Sequence, residues 1–413
     1  MAMQLTALKQ RPDYTFKFNT TSGRHGWLRL TPAYSLKIVE ELLAQSSSAR
    51  FVLDPFCGTG TTPLAATLRG KHATSFDINP FLVWLAQVKC SLYSEAEIDS
   101  TERLGQEIIT NIKEGTIAPA PPPPIHNIER WWDPEELLFL RLLKAGITSE
   151  ARANTAEDNL LKIAFCRTLI SLSNASFNHQ SMSFKAKSAD QPGLFGRSTQ
   201  FDSAFLRELK AILLSARGNP TERARILLAD SKALHNSVED AIDLVITSPP
   251  YPNRMSYIRE LRPYMYWLGF LSGAREAGEM DWSAIGGTWG IATSRLTSWQ
   301  ADSADFLVPE LENFLGQMTQ VDKKSSSLLA NYVSKYFYDI WGHLGSLSKV
   351  LNRSAQVNFI VGNSSFYGVL LPVETIYQKM LKSIGFHDVN VEPLRKRNSK
   401  KALFEYNVSG VYE

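Results

Sequence analysis

Two consecutive strand–turn–helix units near the start of the chain constrain its fold more than any other feature. Residues 51–70 (FVLDPFCGTGTTPLAATLRG) read as a short buried strand, a glycine-rich turn and a helix. Residues 73–89 (ATSFDINPFLVWLAQVK) repeat the pattern, with an acidic residue at the strand end and a helix from about Pro80. Because consecutive units of this kind place their strands side by side, they predict an α/β domain with a mostly parallel central sheet.

The alternation of predicted strands and helices is interrupted in the middle of the chain and then resumes. The run APAPPPP at 118–124 predicts an extended linker, and the two apolar stretches after it predict helices. Strands are expected again in RILLADSKAL and DLVITSPPYP, followed by a late helix from 332 to 351, a strand, a helix and a hairpin. The sequence therefore predicts a catalytic domain formed by 1–95 and 223–413, with a largely helical insertion at 96–222.

Composition narrows the classes of function. Apolar residues form 44% of the 413-residue chain and the formal net charge is +3, so a large core is expected and nucleic acid would be bound through local basic patches. No stretch has the length and hydropathy of a signal peptide or a membrane span. Cys57, Cys90 and Cys166 form no disulfide or CxxC pattern, which predicts a cytoplasmic protein, and the histidine spacing predicts no metal site.

A glycine-rich turn follows the first predicted strand. Gly58 and Gly60 would let the backbone turn sharply and approach a ligand without a Cβ clash, although a GxG pair alone is equally typical of a plain turn. Asp77 ends the next strand, at about the ~20-residue interval where a carboxylate accepts hydrogen bonds from ribose hydroxyls. Pro63 stands where a dinucleotide fingerprint needs its third glycine, so a nucleoside cofactor other than a dinucleotide is favoured.

The sequence TSPPY at 247–251 directly follows the apolar strand DLVI. Two prolines cannot donate to a sheet, so they end the strand and fix a rigid loop at its carboxyl end, where open α/β sheets bind ligands. The Pro249 carbonyl and the Ser248 hydroxyl could accept hydrogen bonds from an amino group, and the Tyr251 ring could stack on a base. Alone, SPPY is a strand-ending turn; together with DPFCGTGTT it predicts a site for a base amino group.

These two motifs resemble those of the S-adenosylmethionine-dependent DNA amino-methyltransferases, which modify cytosine N4 or adenine N6. DPFCGTGTT looks like their cofactor motif and TSPPY like their catalytic motif, and the SPPY form most resembles the cytosine-N4 members. The resemblance covers about 1–94 and 223–413. It implies a Rossmann-like methyltransferase fold, S-adenosyl-L-methionine as cofactor and double-stranded DNA as substrate, with the target base flipped out of the helix.

The resemblance also implies a role for each motif residue. Asp77 would hold the ribose, Asp230 would meet the adenine amino group of the cofactor, and the segment 25–43 would line the methionine end. The catalytic residues would be Ser248, Pro249, Pro250 and Tyr251. The cofactor-binding residues would be Pro32, Asp54, Phe56, Cys57, Gly58, Gly60, Thr61, Thr62, Asp77, Ile78, Asn79, Asp230 and Ser231.

The implied reaction is consistent with the chemistry of the loop. An exocyclic amine is a poor nucleophile because its lone pair is delocalised into the ring. Acceptors at Ser248 and Pro249 would localise that lone pair in line with the cofactor methyl group. Methylation at carbon 5 instead needs a cysteine nucleophile, which the enzymes of that class place after a proline; none of the three cysteines follows one, and Cys57 is expected to be a packing residue.

The target base is predicted from one residue. Relatives with Asp or Asn before the two prolines mostly act on adenine N6, whereas Ser is commoner among cytosine-N4 enzymes. Since the Ser248 hydroxyl can both donate and accept, it could also contact a pyrimidine ring nitrogen. Cytosine N4 is therefore predicted, with adenine N6 as the alternative.

Two further interpretations of the function stay open. RNA methyltransferases acting on guanine N2 share related motifs, but they commonly carry a separate N-terminal RNA-binding domain and here the cofactor loop starts by residue 54. A non-catalytic reader that keeps the fold is disfavoured because both motifs are intact.

Several segments are candidates for contacting DNA. Asn253 and Arg254 could reach the substrate, and a basic cluster in the late hairpin could bind phosphates, although a basic loop can also be simply solvated. Recognition of the sequence is expected in the helical insertion, above all at 176–200, or in a second segment at 270–330 that includes 286–290. A restriction enzyme or a defence-system protein is a candidate partner. The basic cluster comprises Arg395, Lys396, Arg397, Lys400 and Lys401.

Overall fold

The computed structural model describes residues 8–30, 33–176, 183–184, 197–253, 256–288, 290–321, 325–397 and 402–413. Several predicted residues lie outside this part of the chain: Pro32, Arg254, Lys400, Lys401, most of 176–200, and position 289 within 286–290. The strands, in chain order, are β1 (Phe51–Asp54), β2 (His72–Asp77), β3 (Ala175–Ser176), β4 (Ser183–Phe184), β5 (Ala224–Leu228), β6 (Ile242–Thr247), β7 (Leu351–Gly362), β8 (Ser364–Phe366), β9 (Val369–Leu371), β10 (Phe386–Lys396) and β11 (Phe404–Tyr412).

Seven of these strands form the central sheet, in the order β10-β11-β7-β6-β1-β2-β5. The five strands from β7 to β5 run parallel to one another. In the described part of the chain, β11 alone is reversed, pairing antiparallel with both β7 and β10. The predicted α/β, Rossmann-like fold with a mostly parallel sheet is thus confirmed, and the expected late hairpin is β10–β11.

The chain order of the strands changes direction between β1 and β6. From β1 the chain adds β2 and β5 on one side, and it then returns to add β6 and β7 on the other. Loops that leave two neighbouring strands in opposite directions open a crevice at the carboxyl edge of the sheet. In this protein the two loops at that crevice are the ones that carry the two motifs.

Thirteen α-helices lie in the part of the chain that the structure describes. The predicted helix at 332–351 starts earlier and ends earlier in the structure, because Leu351 already pairs with Ile242 as the first residue of β7. The helices are α1 (Leu36–Gln45), α2 (Thr61–Thr67), α3 (Pro80–Cys90), α4 (Glu95–Lys113), α5 (Pro134–Glu150), α6 (Ala156–Ser171), α7 (Arg197–Ala216), α8 (Tyr257–Leu268), α9 (Ala274–Ser283), α10 (Ile291–Ser298), α11 (Pro309–Thr319), α12 (Ser326–Leu347) and α13 (Val373–Ser383). None of the helices that the structure describes is long and apolar enough to cross a membrane.

Helices α4 to α7 occupy the stretch predicted to be a helical insertion, and they are packed onto the sheet's own helices. Trp132 is fully buried, its indole donates to the Leu169 carbonyl over 3.0 Å, and its ring contacts Trp267 of α8 with centroids 5.6 Å apart. Phe81 of α3 belongs to the same apolar cluster. The Trp131–Trp132 pair therefore packs in a core, and this core joins the helical segment to α3 and α8.

Candidate active site

A cavity of about 580 Å³ opens at the crevice between β1 and β6. Both motif loops line it, and residues from β2, β5 and the β10–β11 hairpin complete the wall. The structure thus brings together residues that the sequence assigned separately to cofactor, base and DNA. The predicted residues that line the cavity are Phe56, Cys57, Gly58, Thr61, Asp77, Ile78, Asn79, Asp230, Ser231, Ser248, Pro249, Pro250, Tyr251, Asn253, Arg395 and Arg397.

The glycine loop depends on two residues with positive φ. Gly58 has φ +50° and Gly60 has φ +77°, in the left-handed region that favours glycine. A Cβ at Gly60 would lie 2.8 Å from the Cβ of Ala86, so the loop can pack on α3 only without a side chain there. At Gly58 the backbone N–H faces the end of β2 and donates to Asp77 Oδ2 over 2.9 Å.

Asp77 stands at the carboxyl end of β2 and faces the cavity. Its two carboxylate oxygens accept from the N–H groups of Gly58 and Asn79, each over 2.9 Å. Burial is the main cause that raises its pKa, to about 7. Because each carboxylate oxygen has two lone pairs, Asp77 can still accept hydroxyl hydrogens from a ligand in the cavity.

Asp54, Gly60 and Thr62 lie behind the cavity wall rather than on it. The Asp54 carboxylate accepts from the Thr247 hydroxyl over 2.5 Å and from the Phe56 N–H over 3.1 Å, and burial raises its pKa to about 6. Thr62 donates to the carbonyl of Ile246 over 3.1 Å. These three residues do not line the cavity, and their contact with the cofactor stays a prediction; in the structure they tie the glycine loop to α3 and to the strand that carries the catalytic loop.

A second acidic position follows β5. Asp230 caps the turn Ser231–Asn236 by accepting from the Lys232 N–H over 2.9 Å, and the Lys232 ammonium lies 3.4 Å from its other oxygen. The carbonyl of Ser231 lies 3.1 Å from Nδ1 of the buried His343, whose ring contacts Phe56 edge-on at 4.8 Å. These contacts place a carboxylate and an aromatic ring on the same side of the cavity.

The catalytic loop is held by β7 and by side chains of α8 and α12. The Ser248 hydroxyl donates to the carbonyl of Ile360 on β7 over 3.1 Å, so its oxygen is left as an acceptor. In this arrangement the Ser248 hydrogen does not serve as a donor to a pyrimidine nitrogen, a role that the sequence had suggested. The Pro250 carbonyl accepts from the Tyr336 hydroxyl over 2.8 Å, and the Tyr251 N–H donates to the Tyr257 hydroxyl over 3.2 Å.

Two of the basic hairpin residues, Arg395 and Arg397, line the cavity beside the catalytic loop, and their contact with DNA stays a prediction. Arg395 forms a two-point ion pair with Glu405, with Nε–Oε2 at 2.7 Å and Nη2–Oε1 at 3.2 Å. The Arg397 guanidinium carbon lies 4.9 Å from the Tyr251 ring centroid. The cause is the strand pairing: β11 runs next to β7, so the hairpin turn reaches the same sheet edge as β6. Lys396 does not line the cavity.

Sequence reasoning missed several residues of the wall. Glu405 lines the cavity although it lies 154 positions from its partner Tyr251, and no local pattern marks it. Tyr14, Thr15 and Phe16 also line it, from a short segment before the first helix that carries no motif. Within the expected segment 25–43, Leu30, Ala33 and Tyr34 are the lining residues.

The chain resembles known methyltransferases over nearly its whole length. The family model of the D12 class N6 adenine-specific DNA methyltransferases matches residues 36–115. The type II methyltransferase M.AvaI of Nostoc sp. is 23% identical, covering 97% of this chain and 87% of the relative. M.BsoBI of Geobacillus stearothermophilus is 22% identical, covering 95% and 84%. These matches support the resemblance of the chain to the S-adenosylmethionine-dependent DNA amino-methyltransferases.

One solved structure is also similar. The rRNA methyltransferase aviRa from Streptomyces viridochromogenes has 12% sequence identity, with 92% of this chain and 86% of the other covered. The TM-score is 0.29, too low to compare the two site geometries.

The cavity fits the cofactor of this family. S-adenosylmethionine carries ribose hydroxyls and an adenine amino group as donors, and the cavity offers the acceptors Asp77 and Asp230 at the ends of neighbouring strands. Gly58 brings its backbone to the cavity without a side chain. The volume is in the range of about 300–1,000 Å³ that is usual for ligand pockets.

Proposed function

We propose that this DNA methyltransferase transfers the methyl group of S-adenosylmethionine to the exocyclic N4 of cytosine in duplex DNA. The observation that carries the proposal is the shared cavity: the glycine loop and the SPPY loop line one space between β1 and β6. A donor held by the first loop and an amine held by the second would therefore be neighbours, which is the arrangement that direct transfer needs.

The residues of the loop would prepare the amine. The Ser248 oxygen and the Pro249 carbonyl would accept the two amino hydrogens and so localise the nitrogen lone pair, while the ring of Tyr251 would stack on the flipped base. Bound S-adenosylmethionine supplies an electrophilic methyl group. The methyl group would pass from the sulfonium sulfur to the amine nitrogen, leaving a neutral thioether, and the proton that the nitrogen loses would pass to water.

The second candidate is methylation of adenine N6, and the comparisons favour it over cytosine because the matching family model is adenine-specific. The matched residues 36–115 include the glycine loop and Asp77 but end well before Ser248. The base is handled by the later loop, where serine precedes the prolines. On that ground we retain cytosine N4 as the first candidate.

One experiment tests both candidates. Purified protein is incubated with labelled S-adenosylmethionine and unmethylated duplex DNA, the DNA is digested, and N4-methylcytosine and N6-methyladenine are quantified by mass spectrometry. Label in N4-methylcytosine supports the proposal, and label in N6-methyladenine alone replaces it with the second candidate. A parallel reaction with transfer RNA tests the RNA reading, and Tyr251→Ala is the inactive control.

The names of the relatives support a place in a restriction–modification system, with a cognate restriction enzyme as partner. We propose that the helical segment 96–222 or the segment 270–330 reads the recognition sequence, and that 1–95 and 223–413 form the catalytic domain. Modification-sensitive sequencing of DNA from cells that express the chain would give the recognition sequence. Exchange of either segment for that of a relative should then change it.

A further inference from the structure

Glu405, the second residue of β11, connects the catalytic loop to the C-terminal hairpin. It is only 4% exposed, and its carboxylate accepts from the Tyr251 hydroxyl over 2.8 Å and from two nitrogens of Arg395. A buried carboxylate is stable only where it is paired and hydrogen-bonded, so these three contacts depend on one another. The hydroxyl end of Tyr251 is therefore fixed by an ion pair rather than left to solvent.

The ring of Tyr251 is confined as well. The Arg397 guanidinium carbon lies 4.9 Å from the ring centroid, and its Nη1 donates to the Asn363 carbonyl over 2.9 Å. A Cβ on Gly362, the last residue of β7, would lie 2.4 Å from that Nη1 and 2.9 Å from the Cε2 of Tyr251. The end of β7 thus accommodates the tyrosine and the arginine together because position 362 has no side chain.

We infer that Glu405 and Arg397 are positioning residues for the target base, which hold the Tyr251 ring in the plane on which the flipped base stacks. The inference rests on the proposed function, since it assumes that a base enters the cavity. A ring fixed at its hydroxyl and beside a guanidinium has lost its side-chain freedom before DNA binds, so stacking costs less entropy. Burial and the neighbouring Glu405 raise the Tyr251 pKa well above its usual value, so the hydroxyl stays a donor.

The test uses Glu405→Gln, Tyr251→Phe and the double variant. The wild type and the variants are assayed for methyl transfer, for cofactor affinity by calorimetry, and for fluorescence of duplex DNA with 2-aminopurine at the target position. Each single variant should lower kcat by about 10-fold to 100-fold, since small misplacements of a reacting group cost that much. The double variant should be no slower than the worse single variant, because both changes weaken the same contact between Tyr251 and position 405. Cofactor affinity should stay within about twofold of wild type.

Arg397→Met and a matched control complete the design. Arg397→Met should change the 2-aminopurine fluorescence and the KM for DNA, with Arg397→Lys restoring part of both. Glu239→Gln removes a carboxylate from another ion pair, with Arg225 at 2.8 Å, outside the cavity and outside both proposed recognition segments, and should leave kcat unchanged.

The outcomes separate the two levels of the proposal. A wild-type protein that methylates no DNA contradicts the proposed function, and the fluorescence assay still tests whether a base is held in the cavity. Multiplicative losses in the double variant, or wild-type kinetics and fluorescence in Glu405→Gln and Arg397→Met, would overturn the positioning role. If Glu405→Gln does not fold, the kinetics and fluorescence of the two single variants Tyr251→Phe and Arg397→Met test the positioning role instead.

Discussion

The two halves of the cavity are built in different ways. In the cofactor half, Gly58 and Asp77 are hydrogen-bonded and lie 19 positions apart, in the loop after β1 and at the end of the adjacent strand β2. In the base half, Tyr251 is hydrogen-bonded to Glu405, 154 positions away on a strand added from the far side. The first half is a local motif that a single strand–helix–strand unit completes. The second requires the whole sheet to be assembled.

The halves also differ in charge, and the difference matches what each would bind. The cofactor half carries Asp54 and Asp77, whose pKa values burial raises to about 6 and 7, and also Asp230. The base half carries Arg395 and Arg397 with the single acid Glu405. A cationic sulfonium cofactor suits acidic surroundings, and the net positive charge of the base half favours the approach of polyanionic DNA without requiring a phosphate contact from these arginines. This separation suggests that the halves can be disabled one at a time.

The largest expected effect is the loss of transfer without loss of cofactor. Tyr251→Ala removes the ring on which a base would stack, which is worth about 1–3 kcal/mol for stacking alone and more when the amine is misplaced. We expect turnover on duplex DNA to fall by more than about 100-fold. Calorimetry should give a near wild-type affinity for S-adenosylmethionine. Wild-type turnover in a folded Tyr251→Ala protein would exclude the stacking role.

The next effect lies in the cofactor half and depends on pH. The Asp77 pKa is raised from 3.8 to about 7, so its carboxylate is ionised mainly above pH 7. If ribose hydroxyls donate to it, at about 1.5–3 kcal/mol for each charged hydrogen bond, cofactor affinity should rise with pH and level off above about pH 8. At pH 6 we expect affinity about tenfold lower than at pH 8. Titrations at both pH values measure this.

Asp77→Asn is the companion variant for that titration. It should bind the cofactor more weakly at pH 8 and lose most of the pH dependence, leaving the part due to Asp54, whose pKa is about 6. Thermal unfolding of each protein checks that the loop remains folded. An unchanged pH profile in Asp77→Asn would mean that another group is responsible.

The contrast between the halves explains what the sequence could predict. The sheet and the cofactor residues were predictable because strand, turn and helix signals are local, and GTG and the strand-end Asp77 lie within one such unit. Glu405 and the orientation of Arg397 were not, because they follow from β11 pairing with β7, a long-range contact. Asp54 and Thr62 match the motif, yet both side chains are buried. Their hydrogen bonds connect β1 and the glycine loop to β6.

A smaller effect on stability is expected at the glycine loop. Gly60→Ala would place a Cβ 2.8 Å from Ala86 Cβ at a residue with φ +77°. Strain and overpacking together should lower the free energy of unfolding by about 2–4 kcal/mol. Gly115→Ala is the matched control, since its φ is +71° and nothing lies within 4 Å, so strain alone should cost about 1–2 kcal/mol. Chemical denaturation compares them; equal losses would show that packing on α3 does not matter.

The smallest expected effect is on the salt dependence of DNA binding, and it distinguishes residues that contact phosphates from residues of the base half. Lys396 belongs to the same hairpin as Arg397 but does not line the cavity, so it is the described hairpin residue best placed to contact a phosphate. Lys396→Ala should lower the slope of log affinity against log salt by about 0.9, and affinity should then fall about 3.5-fold less between 50 and 200 mM salt. Arg397→Met should leave that slope nearly unchanged, because its guanidinium contacts Tyr251 and the Asn363 carbonyl. Binding of one duplex across a salt series gives both slopes. If Arg397→Met lowers the slope as much as Lys396→Ala does, Arg397 contacts phosphate, and the base half would not be distinct from the DNA-binding surface.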